Sequence, residues 1–407
     1  MLVLAGGLAD SMCDPSSVAD QTARNGRGGP QGTVPMQGPR SRVLVILEAR
    51  TAGGTSRPVR ALVDTGGGAM VVRRRLAEEL DLAIGATVGA GDDDLETVEP
   101  PELSAAGYDL DTDGLAAYVV DDDDQGNPLR AELADLNLPA SLLRRHHLVL
   151  DAPAGLVTFA DAGSAEPRGV RIPVGVHPDT GFVRTEITVD GQTHGVLLDS
   201  GPPCSLVIDD VYRAWQARHP DWPAAAASVG PANMAGLPAE ARLPMLRVGA
   251  LDWGPFTVSG VAVAWRSDAA FGDLVAPGAT APVVGALGGN VLRGFRVEID
   301  YARAEVWLEQ GAVLEPDDTD MVGMVLTREA GEEGLSGTAY RVAAVVTGLG
   351  EVRVGDRLVA VDGEPVAALT LAEVVALLSG EPGTTRPLTT EREGELGQLD
   401  APVSRVL

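Results

Sequence analysis

Lysine is absent from this 407-residue chain: all 31 basic residues are arginine, set against 58 acidic ones for a net charge of -27. A surface so short of positive charge argues against nucleic acid as a partner, because phosphate binding needs a basic face. The acidic surplus reads as a solubility device. Cysteine is nearly absent too, and Cys13 and Cys204 offer neither a disulfide framework nor a zinc-ligand spacing. No metal and no cofactor is therefore expected. No apolar run reaches the roughly 18 residues of a spanning helix, so no membrane span is expected. Aromatic residues make up only 4% of the chain, so its cores must be built from Val, Leu and Ala, which the 45% hydrophobic content allows.

The first 13 residues are apolar but shorter than the usual signal-peptide core, and no basic segment precedes them. They read as the tail of a secretion signal, so the expected compartment is secreted or periplasmic, at the cell envelope, with the cytoplasm left open. Met12 stands where a lipid-attachment Cys13 would want a small residue. Residues 14–39 are rich in Gly, Pro, Ser, Asn and Gln without periodicity, so residues 1–39 are assigned to a flexible leader. From Arg42 onward, short Val, Leu and Ile runs alternate with Gly, Pro and Asp clusters, the pattern of a mostly β protein. Helices are expected only at 73–82, 209–218 and 371–378.

Self-comparison finds a long-period repeat. Residues 60–72 align with 195–207, each an apolar strand, an Asp-Thr/Ser-Gly turn, a variable stretch and another apolar strand. Residues 142–159 align with 291–308. The first pair is offset by 135 residues, Asp64 to Asp199, and the second by 149, Asp151 to Asp300. Two copies in the same order imply a duplication, with one lobe at 40–165 and a second at 166–314. A charged, Pro-containing linker at 314–320 then leads to a small domain at 320–400.

Asp-Thr/Ser-Gly alone is a weak motif, and the chain carries a third copy at Asp179, Thr180 and Gly181. That copy follows a His-Pro dipeptide and precedes a strand, so it reads as a hairpin turn. Asp64 and Asp199 instead follow apolar strands that would deliver each carboxylate into a buried position. Two buried carboxylates side by side cannot both ionise and must share a proton. The ionised member can then deprotonate a water while the protonated one donates to a peptide carbonyl. Gly66 and Gly201 allow a tight turn, and Thr65 and Ser200 supply hydroxyls able to lock the two turns together.

These residues carry a resemblance to the bilobal aspartic peptidases of the pepsin and retropepsin type, bacterial members included. The resemblance implies two β-barrel lobes in tandem, Asp64 and Asp199 as the catalytic dyad, and Thr65, Gly66, Ser200 and Gly201 as its support. The run Val284 to Gly288 resembles the apolar-apolar-Gly segment that threads behind the catalytic loop in this family. Peptides or unfolded proteins are the implied substrates, and a monomer is expected because both halves lie in one chain. The sequence departs from the family at Gly67 and Pro202, where a hydroxyl or Ala is usual. Leu136, Asn137, Leu138 and Pro139 also replace the first lobe's late glycines. The alternative implied by these departures is a catalytically degenerate peptide-binding or scaffolding protein on the same fold. A hairpin flap is sought within 85–118, where Tyr108 and Tyr118 are the aromatics. His146 and His147 read as surface or strand-edge residues, the acid run 121–124 as a solvated loop, and Cys204 as a buried small hydrophobe.

The run Val354 to Gly363 resembles the centre of a PDZ domain, a small α+β fold. Its helix at 369–378 would form one wall of a groove. Val322, Gly323, Met324 and Val325 would then receive the C-terminus of a peptide by strand addition. A clamp on the lobes is the other role open to this module.

Overall fold

A computed structural model describes residues 31–38, 41–51, 54–90, 93–121, 129, 134–164, 167–267, 278–311, 314, 318–330, 338–346 and 348–407. Cys13, most of the leader and acid residues 122–124 lie outside this set. The architecture is mostly β, with two strand-rich lobes followed by a small α+β domain.

Each lobe is organised around the same threading of strands. In the first, Leu136–Pro139 lies between Ser56–Asp64, which it meets in parallel, and Met70–Arg73, which it meets antiparallel. In the second, Gly285–Leu287 lies between Gln192–Leu198 and Ser205–Ile208 in the same senses. Each aspartate thus sits at or just beyond the end of a strand whose side chains are buried, Ala61 to Val63 in one lobe and Val196 to Leu198 in the other. The strands are short and rich in β-branched residues, and their buried positions hold Val, Leu and Ala, as the scarcity of aromatics requires.

The second repeated block builds the junction between the lobes. His146–Asp151 pairs antiparallel with Phe295–Asp300, and Val149 faces Glu298. Those two residues are 149 positions apart, equivalent in the duplication, so a pseudo-twofold axis passes between them. Leu156–Asp161 and Glu305–Gln310 flank the pair on either side. His146 and His147 were expected at a surface or strand edge, but both are buried here, 3% and 1% exposed. His147 Nε2 lies 2.7 Å from Glu298 Oε1 across the junction, and Arg296 donates to the other Glu298 oxygen at 2.5 Å. His146 Nδ1 lies 2.9 Å from the Tyr108 hydroxyl. Burial pushes His146 down to about 4, so it is neutral at ordinary pH.

Residues 31–37, assigned above to the leader, form a strand, Gln31–Gln37, between Leu156–Asp161 and Leu44–Arg50. Its composition misleads because Gly32 is there for close approach: a methyl at that position would lie 1.9 Å from the Ala105 carbonyl oxygen. Val34 on the same face is buried. The expected helices appear at Arg74–Glu79, Asp209–Arg218 and Leu371–Leu378. The first stops short of residue 82 because Asp81 takes a left-handed conformation, φ 56°.

The C-terminal domain is a twisted sheet in the order Met324–Ala330, Thr338–Val345, Arg357–Val361, Thr385–Arg392, Glu395–Pro402, with Leu371–Leu378 as its helix. Asp320–Met321 pairs with Ser404–Arg405 and ties the domain's two ends, which carries it past residue 400.

Glu298 is fully buried and partners the buried His147 at 2.7 Å, so removing its carboxylate takes a hydrogen-bond partner from a side chain that water does not reach. Glu298→Ala is expected to lower stability by about 1–3 kcal/mol, read as the shift in urea midpoint at constant slope.

Candidate active site

The two turns interlock through their hydroxyls. Ser200 N–H donates to Thr65 Oγ1 at 2.9 Å, and Thr65 N–H donates to Ser200 Oγ at 3.2 Å. Each hydroxyl then donates onward into the opposite lobe, Thr65 to the Leu198 carbonyl at 2.9 Å and Ser200 to the Val63 carbonyl at 2.8 Å. Both residues are fully buried. Each hydroxyl accepts one bond and donates another, and each lobe supplies what the other lacks. Because Val63 and Leu198 immediately precede the aspartates, the interlock fixes the carboxylates relative to each other.

Those carboxylates converge. A methyl group built on Gly201 would lie 2.5 Å from Asp64 Oδ1 and 3.1 Å from Asp199 Oδ1. One built on Gly66 would lie 2.3 Å from Asp199 Cγ. The turn glycines are therefore required by space. None has the left-handed φ that conformational freedom would explain. Gly201 N–H donates to Asp199 Oδ1 at 3.0 Å.

Gly67 has a related explanation. A methyl there would fall 2.5 Å from Asp64 Oδ2 and 3.2 Å from the amide nitrogen of Asn137. Asn137 occupies the position where the first lobe's glycines were missed, and its Nδ2 donates to Asp64 Oδ2 at 3.3 Å. Its Oδ1 accepts from Val71 N–H at 2.7 Å, which orients the side chain and settles which end donates. The donor absent from position 67 thus arrives from the threaded strand. In the second lobe the equivalent position is Ala286, which offers no donor. Pro202 lacks both hydroxyl and amide, so Asp199 relies on backbone donors.

Arg42 is the other residue beside the two turns that the sequence did not mark, since nothing separates it from thirty other arginines. It is buried, and donates to the Gly201 carbonyl at 2.5 Å and the Met234 carbonyl at 2.8 Å. Its charge favours ionisation of both aspartates.

Burial raises both carboxyls above the usual carboxylate range. For Asp199, 2% exposed, burial and then the nearby Asp64 charge push it up to about 8. For Asp64, partly exposed, the Asn137 amide and the Gly66 N–H work against burial. The Asn137 amide thus favours charge on Asp64, while burial and the neighbouring carboxylate favour a proton on Asp199.

The remaining sequence-marked residues fall outside this constellation. Asp179 sits in a turn, with Gly181 at φ 76° bonded back to His177. Cys204 is buried and its thiol is pushed up to about 12 by desolvation, which leaves it inert. The hairpin in the flap region is Ile84–Ala90 with Asp93–Val98, and neither tyrosine is on it: Tyr108 packs inside on His146, and Tyr118 lies on Ala117–Val120. Among the described residues no group of three or more His, Cys, Asp or Glu side chains is arranged to hold a metal.

A carboxyl whose folded pKa is raised holds a proton that the unfolded chain has released. Its contribution is complete below about pH 4 and is lost as pH rises toward 8. Asp199→Asn removes this dependence. The variant is expected to be more stable than wild type at pH 7.5, by about 2 kcal/mol or more, with the difference shrinking toward pH 4 in parallel thermal melts.

Residues 343–392 match the PDZ domain family. The match begins inside Thr338–Val345 and leaves Val322 to Val325 outside it. No curated protein matches the chain. Among solved structures, basic 7S globulin from soybean aligns over 70% of this chain and 98% of its own, at 14% identity and a TM-score of 0.37. The structure of edgp aligns over 70% and 95%, at 12% identity and a TM-score of 0.38.

Proposed function

We propose that the chain is an aspartic endopeptidase in which Asp64 and Asp199 activate a water for amide hydrolysis. The observation that carries this reading is the reciprocal Thr65 and Ser200 interlock, which holds the Asp64 and Asp199 carboxyls close together. Asp64, charged and steadied by Asn137, takes a proton from the water as its oxygen attacks the carbonyl carbon. Asp199 gives its proton to the carbonyl oxygen, and a tetrahedral diol forms. Asp64 then passes its proton to the amide nitrogen, the C–N bond breaks, and a diol hydroxyl returns a proton to Asp199. The acid and base roles follow from the unequal surroundings of the two groups. Peptides or unfolded proteins are the substrates this chemistry takes.

A peptide-binding protein without turnover is the competing reading. The near-complete burial of Asp199 beside Pro202 favours it.

Cleavage of an unfolded protein across pH 3 to 9 separates the two. Wild type is expected to give a bell-shaped kcat/KM profile with its basic limb near pH 8, where Asp199 loses its proton. Asp64→Asn and Asp199→Asn are each expected to lose about 10³-fold or more. Wild-type activity no higher than that of the two variants would leave the binding reading standing. Asn137→Ala removes a donor to Asp64 and orphans the Val71 amide. It is expected to lower kcat about tenfold and to move the acidic limb upward, with a stability loss of about 1–3 kcal/mol.

A further inference from the structure

The residues that would receive a peptide in the PDZ-like module are already covered. Val322, Met324 and Val325 are at most 1% exposed, and burial continues along the strand to Arg328 at 5%. Among the described residues Met324–Ala330 ends its sheet, with no strand of the module paired on its outer edge. What lies on that edge is the second lobe. Arg328 N–H, pointing off the edge, donates to the Gly236 carbonyl at 2.9 Å. Its side chain donates to the Ala235 carbonyl at 2.8 Å. One short helix of this segment, Gly230–Ala232, meets Leu371–Leu378, and the next, Pro238–Arg242, meets Met324–Ala330. The segment therefore reaches both walls of the groove, and Val229, Ala232 and Met234 share one apolar core with the module's Val322, Val325 and Val374. Gly236 is required there: its φ is 66°, and a methyl on it would lie 2.8 Å from Arg328 Cγ.

The same few residues also reach the Asp199 turn through Arg42. The Met234 carbonyl accepts from Arg42, which also donates to the carbonyl of Gly201 in the Asp199 turn. The amides of Met234, Ala235 and Leu237 all donate to the buried Glu240 carboxylate, at 2.7, 3.0 and 3.0 Å. Three successive carbonyls thus serve the first lobe, the Arg328 side chain and the module's edge strand, while their own lobe holds the amides.

We propose that residues 233–237 are an internal ligand of the PDZ-like groove, and that their docking there sets the Asp199 turn through Arg42. An extended peptide competing for the outer edge of Met324–Ala330 displaces this segment, frees Met234 from Arg42 and so acts on the dyad. The docking stands on its own contacts. The consequence for cleavage rests on the peptidase reading.

Amide hydrogen exchange on the full chain tests both parts without reference to activity. Gly236→Val drives the segment off the edge strand, and Arg328→Ala removes the side-chain bond to the Ala235 carbonyl together with the packing of the Arg328 stem on Gly236, leaving the edge N–H in place. Both variants are expected to speed exchange in Met324–Ala330 roughly tenfold or more, and to speed it in residues 199–204 as well, with His146–Asp151 unchanged as a measure of intact folding. No acceleration in Met324–Ala330 overturns the internal ligand. Acceleration there with residues 199–204 unchanged overturns the coupling. If Gly236→Val also loosens His146–Asp151, Arg328→Ala decides by the same criteria. A labelled synthetic peptide of residues 229–242 should bind Gly236→Val at least about tenfold more tightly than wild type. Equal binding to both overturns the occupancy of the groove.

Discussion

Two hydroxyl groups hold this molecule's arrangement. Thr65 and Ser200 each satisfy a buried amide and a buried carbonyl of the opposite lobe. Each hydroxyl bond contributes about 1 kcal/mol net, but loss of either one strands buried polar groups that water cannot reach. The interlock therefore specifies more than it stabilises. It permits one relative placement of the strands ending in Val63 and Leu198, and the carboxylates inherit that placement. The interlobe sheet reinforces it from a distance through the facing of Val149 and Glu298.

Crowding at the turns makes their sequence strict in an unexpected way. Gly66, Gly67 and Gly201 are each excluded from carrying a side chain by a carboxylate, not by backbone conformation. Position 67 thereby gives up the usual hydroxyl, and Asn137 supplies a donor from the neighbouring strand. Two departures that look independent along the chain, a missing hydroxyl and a missing glycine, are one exchange in space.

Much of this was legible in the sequence because the duplication left matching blocks. The alignment of 142–159 with 291–308 anticipates the strand pair on the pseudo-twofold axis, and the apolar strands ahead of Asp64 and Asp199 distinguish them from Asp179. What stayed hidden depends on contacts between distant segments. Arg42 and Met234 are 192 residues apart, and Asn137 and Asp64 are 73. The histidine pair misled because neighbouring arginines suggested a surface, whereas Glu298 from the other lobe makes its burial tolerable. The Gly and Pro content of residues 31–37 concealed a strand because Gly32 serves packing there rather than flexibility.

Asn137 has a consequence that reaches past its two hydrogen bonds. In a strictly symmetric pair of aspartates the two protonated forms have equal energy. Here one half presents an amide where the other presents the methyl of Ala286, and that inequality, beside the deeper burial of Asp199, lifts the degeneracy. Fusing the halves into one chain is what allows it, since identical subunits could not differ at one position. The duplicated scaffold thus carries a built-in polarity, with a side-chain amide favouring charge on one side and burial favouring a proton on the other.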